Sequence, residues 1–179
     1  MLKRLGKFVT AEYLINNKNV ELNIGDLIEV DRTIYSDWAL YIGHGEVAHL
    51  AGIETDIPNE EAIVEICELS EMADKHLVRV NNKEIPAKQR SLKPQPINVI
   101  MNSVMKLQSK VVPFNLMTRN FEHYVTEWRY GKGWSDQAST ALSSMTMFSK
   151  PLKDPKCAHN AMLNGINMIL ESPANSPSP

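Results

Sequence analysis

The sequence predicts an α+β domain in which an antiparallel sheet comes first and helices pack on it afterwards. Three observations carry this. Short β-prone runs bounded by turn residues crowd the first half; apolar residues in the second half recur at helical spacing; and no self-similarity at a period of about 20 to 50 residues suggests a solenoid or propeller. The chain has 179 residues, 43% of them hydrophobic, which fits one globular domain of about 100–200 residues.

The first strand is Asp26-Leu27-Ile28-Glu29-Val30, following Ile24-Gly25. Trp38-Ala39-Leu40-Tyr41-Ile42, Gly43-His44-Gly45 and Glu46-Val47-Ala48-His49-Leu50 together read as a β-hairpin. A fourth strand is expected from Ala62 to Leu69, where Ile63, Val64, Ile66 and Leu69 alternate loosely with Glu65 and Glu68, and a fifth at Leu77-Val78-Arg79-Val80 before Asn81-Asn82. Ile97, Ile100, Met101, Val104, Met105 and Leu107 then predict a helix after Pro94 and Pro96, residues that open helices but do not sit inside them. A second helix starts at Asn120, a good N-cap, and stops at Gly131. Its residues Phe121, Tyr124, Val125 and Trp128 fall at i, i+3, i+4 and i+7, one stripe facing a core. A third helix begins at Ser135, and a fourth has Asp154 as N-cap with Pro155 at its first position. The expected organisation is an extension over 1–23, a domain over 24–148, an amphipathic helix over 149–171 and a Pro- and Ser-rich disordered tail over 172–179.

Composition narrows the function classes. Nineteen Lys+Arg against twenty-one Asp+Glu leave a formal charge of -2, so no basic field draws the protein onto nucleic acid, and none is expected as a partner. The only cysteines, Cys67 and Cys157, are far apart and in no C-x-x-C spacing, which excludes a disulfide framework and argues against structural zinc. A reducing, cytoplasmic setting fits. No run of about 18 apolar residues exists, and the start MLKRLGKFV lacks the apolar length and cleavage site of a secretory signal.

Loop length in the hairpin decides which side chains share a face. If Gly43-His44-Gly45 is a three-residue loop, Ile42 pairs with Glu46 and Ala39 with His49. Asp37, two residues before Ala39, then lies diagonally from His49 on the same face, near enough for a carboxylate–imidazole contact. A two-residue loop would slip the register by one and separate them.

Several blocks now carry a resemblance: Gly25-Asp26-Leu27-Ile28-Glu29-Val30; Asp37-Trp38-Ala39-Leu40-Tyr41-Ile42-Gly43 with Val47-Ala48-His49-Leu50-Ala51; Val80-Asn81-Asn82-Lys83; and Arg119-Asn120-Phe121-Glu122-His123-Tyr124-Val125-Thr126-Glu127-Trp128-Arg129-Tyr130-Gly131 with Ser135-Asp136-Gln137. In this order, over residues 24–140, they resemble the lecithin:retinol acyltransferase (LRAT) domain, and within it the H-rev-like phospholipase/acyltransferase branch. The resemblance implies a circularly permuted papain-like α+β fold related to NlpC-type peptidases. The family pattern reads H-W-A-[IL]-Y-[VI]-G, then V-x-H-L, then N-C-E-H-[FY]-V. It implies a cysteine at a helix N-terminus beside two histidines, a setting that lowers a thiol pKa and makes a nucleophile. That thiolate takes an acyl group from a phospholipid as a thioester and passes it to an amine, a lysophospholipid or water.

This sequence departs from the pattern at two of those three positions. Phe121 stands where the family has its nucleophilic cysteine, Asp37 where it has its general-base histidine, and only His49 matches. Phenylalanine has no lone pair to attack a carbonyl, and a carboxylate with an ordinary pKa near 4 is a weak base for a thiol. The resemblance therefore implies a pseudoenzyme: a degenerate site at Asp37, His49 and Phe121, with no intact catalytic set, cofactor or metal. Substitute groups have weak credentials. Cys67 sits beside Glu65 and Glu68, which raise a thiol pKa, and Cys157 lies outside the matched region. Asp37 with His49 could activate water, without an identifiable oxyanion hole. Asp37, His44 and His49 would make a metal set only if His44, at a hairpin tip, turned inward. The structural alternatives are plain: Phe121 fills core volume and buries about 2–3 kcal/mol of apolar side chain; His49 is a hydrogen-bonded structural histidine or the ion-pair partner of Asp37; Trp38 and Trp128 are core; and Glu122 and Glu127 are first-turn and solvent-side helix charges.

The resemblance to the H-rev branch, whose members usually carry a hydrophobic C-terminal anchor, does not extend to residues 154–171, which are interrupted by Lys156, His159, Asn160, Asn164 and Asn167 and cannot span a membrane. Ala158, Ala161, Met162, Ile166, Ile169 and Leu170 instead give that segment an apolar face that packs on the domain, lies on lipid or docks a partner. Leu2-Lys3-Arg4-Leu5-Gly6-Lys7-Phe8 adds weak attraction to anionic lipid. The expectation is a non-catalytic lipid- or protein-binding regulatory module, cytoplasmic or peripheral to membranes, whose partner is a phospholipid surface or a protein. Its rivals are a residual phospholipid hydrolase or acyltransferase using Asp37 and His49, and a viral LRAT-like host-interaction protein.

Overall fold

In the computed structural model, residues 5–55, 57–138, 159–160, 162–164 and 166 are described. The expected α+β order is present. Six strands form one antiparallel sheet in the order β5-β1-β2-β3-β4-β6: β1 (Leu27–Asp31), β2 (Ser36–Gly43), β3 (Glu46–Ala51), β4 (Glu61–Glu68), β5 (Val78–Val80) and β6 (Val111–Pro113). The helices are α1 (Ala11–Asn16), α2 (Leu69–Ala73), α3 (Glu84–Gln89), α4 (Ile97–Met105) and α5 (Phe121–Tyr130).

Alternation along the strands feeds two apolar clusters, one on each face of the sheet. Leu27, Trp38, Leu40, Ala48, Leu50, Ala62 and Val64 join Ile100 and Val104 of α4 and Phe121, Tyr124, Val125 and Trp128 of α5. Ile28, Val30, Ala39, Tyr41, Val47, Val78 and Val80 join Ala11 and Leu14 of α1 and Leu69, Met72 and Ala73 of α2. Residues ahead of position 24 are thus part of the packing: Gly6 N–H donates to Val80 O at 3.1 Å, and Val9 bridges Val78.

The hairpin differs from the expected one in an instructive way. His44 (φ 55) and Gly45 (φ 83) both take left-handed backbone, as a two-residue type I′ turn requires. That shorter turn alone would slip the register, but a bulge between Tyr41 and Gly43 inserts Ile42 as an extra residue. Gly43, not Ile42, pairs with Glu46, while Ala39 still pairs with His49. Two one-residue changes cancel, and Asp37 and His49 stay on one face.

Helix α5 starts and stops where its sequence indicates. Asn120 accepts from His123 N–H at 3.2 Å, and Asn120 N–H donates to His123 Nδ1 at 3.1 Å, a reciprocal capping box. Gly131 ends it at φ 75, where a Cβ would meet Gln95 Nε2 at 2.5 Å. Glu122 is the first-turn charge the sequence indicates, yet it is only 1% exposed, because Lys83 and Ser135 close over the first turn of α5. Residues 136–138 are helical, and Ser135 Oγ accepts from Ala138 N–H at 3.0 Å. Residue 154, the expected cap of the last helix, lies outside the described residues, as does Cys157, but 159–160, 162–164 and 166 are helical. His159 and Leu163 are buried, and Met162 and Ile166 pack on the α4/α5 cluster. Among the described residues no helix is long and apolar enough to cross a membrane.

Candidate functional site

Asp37 and His49 come from adjacent strands and rise from the face that α1 and α2 cover. Asp37 is buried. Its Oδ2 accepts from Arg32 Nη2 at 3.1 Å and its Oδ1 from Trp38 N–H at 2.8 Å. Arg32 Nη2 also donates to Met72 O at 2.8 Å, which fixes it between the sheet and α2. Burial pushes the Asp37 carboxyl above its ordinary value, and the charges of Arg32 and His49 only partly offset this. The ion-pair partner of Asp37 is therefore Arg32 and not His49, a correction to the sequence expectation.

His49 turns toward the next strand. Its Nε2 lies 3.4 Å from Cys67 Sγ and 4.0 Å from Glu65 Oε2, because His49 is paired with Glu65 and Val47 with Cys67 across β3 and β4. His49 is only 9% exposed, and its Nδ1 makes no hydrogen bond among the described residues. Burial, with Glu71 and Glu65 nearby, pushes the partly exposed Cys67 thiol up to about 11. The expected upward direction holds, with burial as its largest cause. His44 is exposed at the tip of the turn. No three His, Cys, Asp or Glu side chains among the described residues are grouped to hold a metal ion.

Phe121 is the first residue of α5 and is 5% exposed. Its ring stacks on Tyr35, with centroids 6.1 Å apart and planes at 19°, and tilts against Phe114 at 4.9 Å. It belongs to the α4/α5 cluster. The structure thus brings Asp37, His49 and Cys67 together on one face and seats Phe121 among the apolar side chains of the other.

A polar cleft of about 430 Å³ opens beside Tyr35 on the Phe121 side, lined among others by Glu29, Ser36, Trp38, Arg79, Lys83 and Gln137. Glu29 organises its floor, accepting from Arg79 Nε at 2.8 Å, Asn81 Nδ2 at 2.7 Å and Ser36 Oγ at 3.0 Å. Burial alone would raise the Glu29 carboxyl, but these donors together hold it below its ordinary value. Nothing local in the sequence singles out Arg32, Glu29 or Arg79.

Comparison with known proteins follows the same blocks. Residues 20–134 match the family described as lecithin retinol acyltransferase. Phospholipase A and acyltransferase 1 of Homo sapiens is 33% identical over 130 residues, which cover 68% of this chain and 75% of that protein. Phospholipase A and acyltransferase 2 of Homo sapiens is 35% identical over 133 residues, 68% of this chain and 79% of that protein. Phospholipase A and acyltransferase 3 of Mus musculus is 34% identical over 131 residues, covering 68% and 78%.

Proposed function

This chain belongs to the lecithin retinol acyltransferase family, and on that premise we propose that its domain works by binding, as a non-catalytic module that meets an anionic phospholipid surface. One observation carries the reading: a buried phenyl ring begins α5, at the position where the family pattern places its attacking sulfur, and a phenyl ring cannot form a thioester. The engagement of Asp37 by Arg32 and Trp38 N–H supports it, since that carboxylate is not hydrogen-bonded to the imidazole as a base-orienting group would be.

The lipid partner is argued from α4. Ile100 and Val104 are buried, whereas Ile97 and Met105 are 48% and 43% exposed. Met101, between them at helical spacing, is half-buried. Lys93 before α4 and Lys106 and Lys110 after it are exposed. An exposed apolar strip with lysines close to it in the chain suits shallow insertion between acidic headgroups.

Two assays test the reading on the full chain. Incubation with acyl-labelled phospholipid, with and without an amine acceptor, is expected to release no fatty acid and form no acylated product above background. Sedimentation with vesicles containing phosphatidylserine is expected to carry the protein down, and Ile97→Asp with Met105→Asp to leave it in solution. Turnover that disappears on His49→Ala would overturn the non-catalytic reading, and unchanged sedimentation of the double variant would overturn the role of α4.

A further inference from the structure

We propose that Cys67 is a covalent modification site for small uncharged carbon electrophiles, with His49 acting as its base. The geometry comes from the sheet. His49 on β3 and Cys67 on β4 rise from one face on neighbouring strands, which brings Sγ to 3.4 Å from Nε2. Cys67 is partly exposed at the margin of the α1/α2 cluster and His49 is nearly buried, so of the two residues Cys67 is the one more open to solvent. The Nδ1 of His49 makes no hydrogen bond among the described residues; that nitrogen can carry the ring proton and leave the Nε2 lone pair to the thiol. The site lies on the α1/α2 face and does not rest on the reading of Phe121.

The step balances without a further reactant. A sulfur lone pair forms the S–C bond, the leaving group departs from that carbon with its bonding electrons, and the thiol proton passes to Nε2 and then to solvent. The reagent class follows from the charges facing the sulfur. Glu65 on β4, Glu71 on α2 and Asp37 on β2 all bear on it, and Arg32 is committed to Asp37. This field disfavours anionic reagents. It also makes the role of the imidazole measurable: with the thiol pushed up to about 11, unassisted attack at neutral pH is slow.

The experiment treats the native full chain with iodoacetamide or iodoacetate between pH 7 and pH 10 and follows the Cys67 and Cys157 peptides separately by mass spectrometry. We expect Cys67 to be labelled at pH 7.5, with a preference for iodoacetamide over iodoacetate larger than in the urea-unfolded chain. His49→Gln should slow Cys67 labelling at pH 7.5 by about tenfold or more and have little effect near pH 10. An unlabelled Cys67 at pH 7.5, or an equal rate in a folded His49→Gln variant, would overturn the proposal. Should that variant fail to fold, the unaltered chain decides: a rate nearly flat from pH 7.5 to 9 supports the assisted route, and a rate that climbs tenfold per pH unit toward about 11 overturns it.

Discussion

Lys83 Nζ lies 2.6 Å from Glu122 Oε1, with both side chains almost wholly buried, and 2.6 Å from Asp136 Oδ2. Lys83 enters α3 from the end of β5 with left-handed backbone, φ 55, and Glu122 is the second residue of α5. Ser135 Oγ completes the contact, donating to Glu122 Oε2 at 2.7 Å. One ammonium group therefore ties the sheet edge, the first turn of α5 and the segment after α5 to one another.

Lys83→Met should remove about 3–5 kcal/mol of stability in urea unfolding, because it strands Glu122 as a buried charge. Burial alone would lower the Lys83 pKa, but Glu122 and Asp136 raise it above 10.5. The sign follows: the stabilisation is fully present below pH 10.5, the ordinary lysine value, and is lost as pH rises through the higher folded value. Alkaline unfolding of the wild type should show this loss and Lys83→Met should not. A cost below about 1 kcal/mol would mean the pair is effectively solvated.

Asp37→Asn should act in the opposite sense to most buried-carboxylate replacements. Burial raises the Asp37 pKa above 3.8, so its contribution is fully present below pH 3.8 and declines as pH rises through the folded value. Relative to wild type, the amide should gain stability between pH 4 and pH 7, in thermal melts taken across that range. A variant that loses ground steadily toward pH 7 would show that the Arg32 contact outweighs burial.

Phe121→Cys combined with Asp37→His restores the residue types of the family pattern. Phe121→Cys removes most of a ring packed on Tyr35 and Phe114 and should cost about 3 kcal/mol by itself, in the range of large-to-small core changes. The double variant is expected to show at most a small fraction of relatives' acyl transfer on phospholipid, measured beside Phospholipase A and acyltransferase 1, since the neighbouring rings define a closed volume. Activity equal to that relative's would show that only two groups were missing.

How far the sequence carries can be argued from these residues. β1 to β5 and α5 are legible because alternation, the Asn120 cap and the Gly131 stop act locally. β6 is only three residues long and exists because Glu61 to Ile63 offer it an edge; its own composition does not announce it. The first-turn position of Glu122 is legible, but its burial is not, since its partners, Lys83 and Ser135, come from other segments. At the site, parity within one hairpin places Asp37 and His49 on a common face. The Cys67–His49 contact depends on the register between β3 and β4, which a longer connection sets and no local signal reveals. The role of Arg32 is hidden for the same reason: what holds it, Met72 O, lies in α2.

Ile42, the unmatched residue before the turn, keeps the two strands in phase. Deleting it while retaining the turn would rotate β3 by half a repeat, sending Ala48 and Leu50 beneath α1 and α2 and driving the imidazole of His49 into the aromatic layer under α5. Substitution at position 42 is a matter of side-chain fit, whereas a change in length there turns the strand inside out. What β3 presents on each side is decided by counting residues before any of their chemistry comes into play.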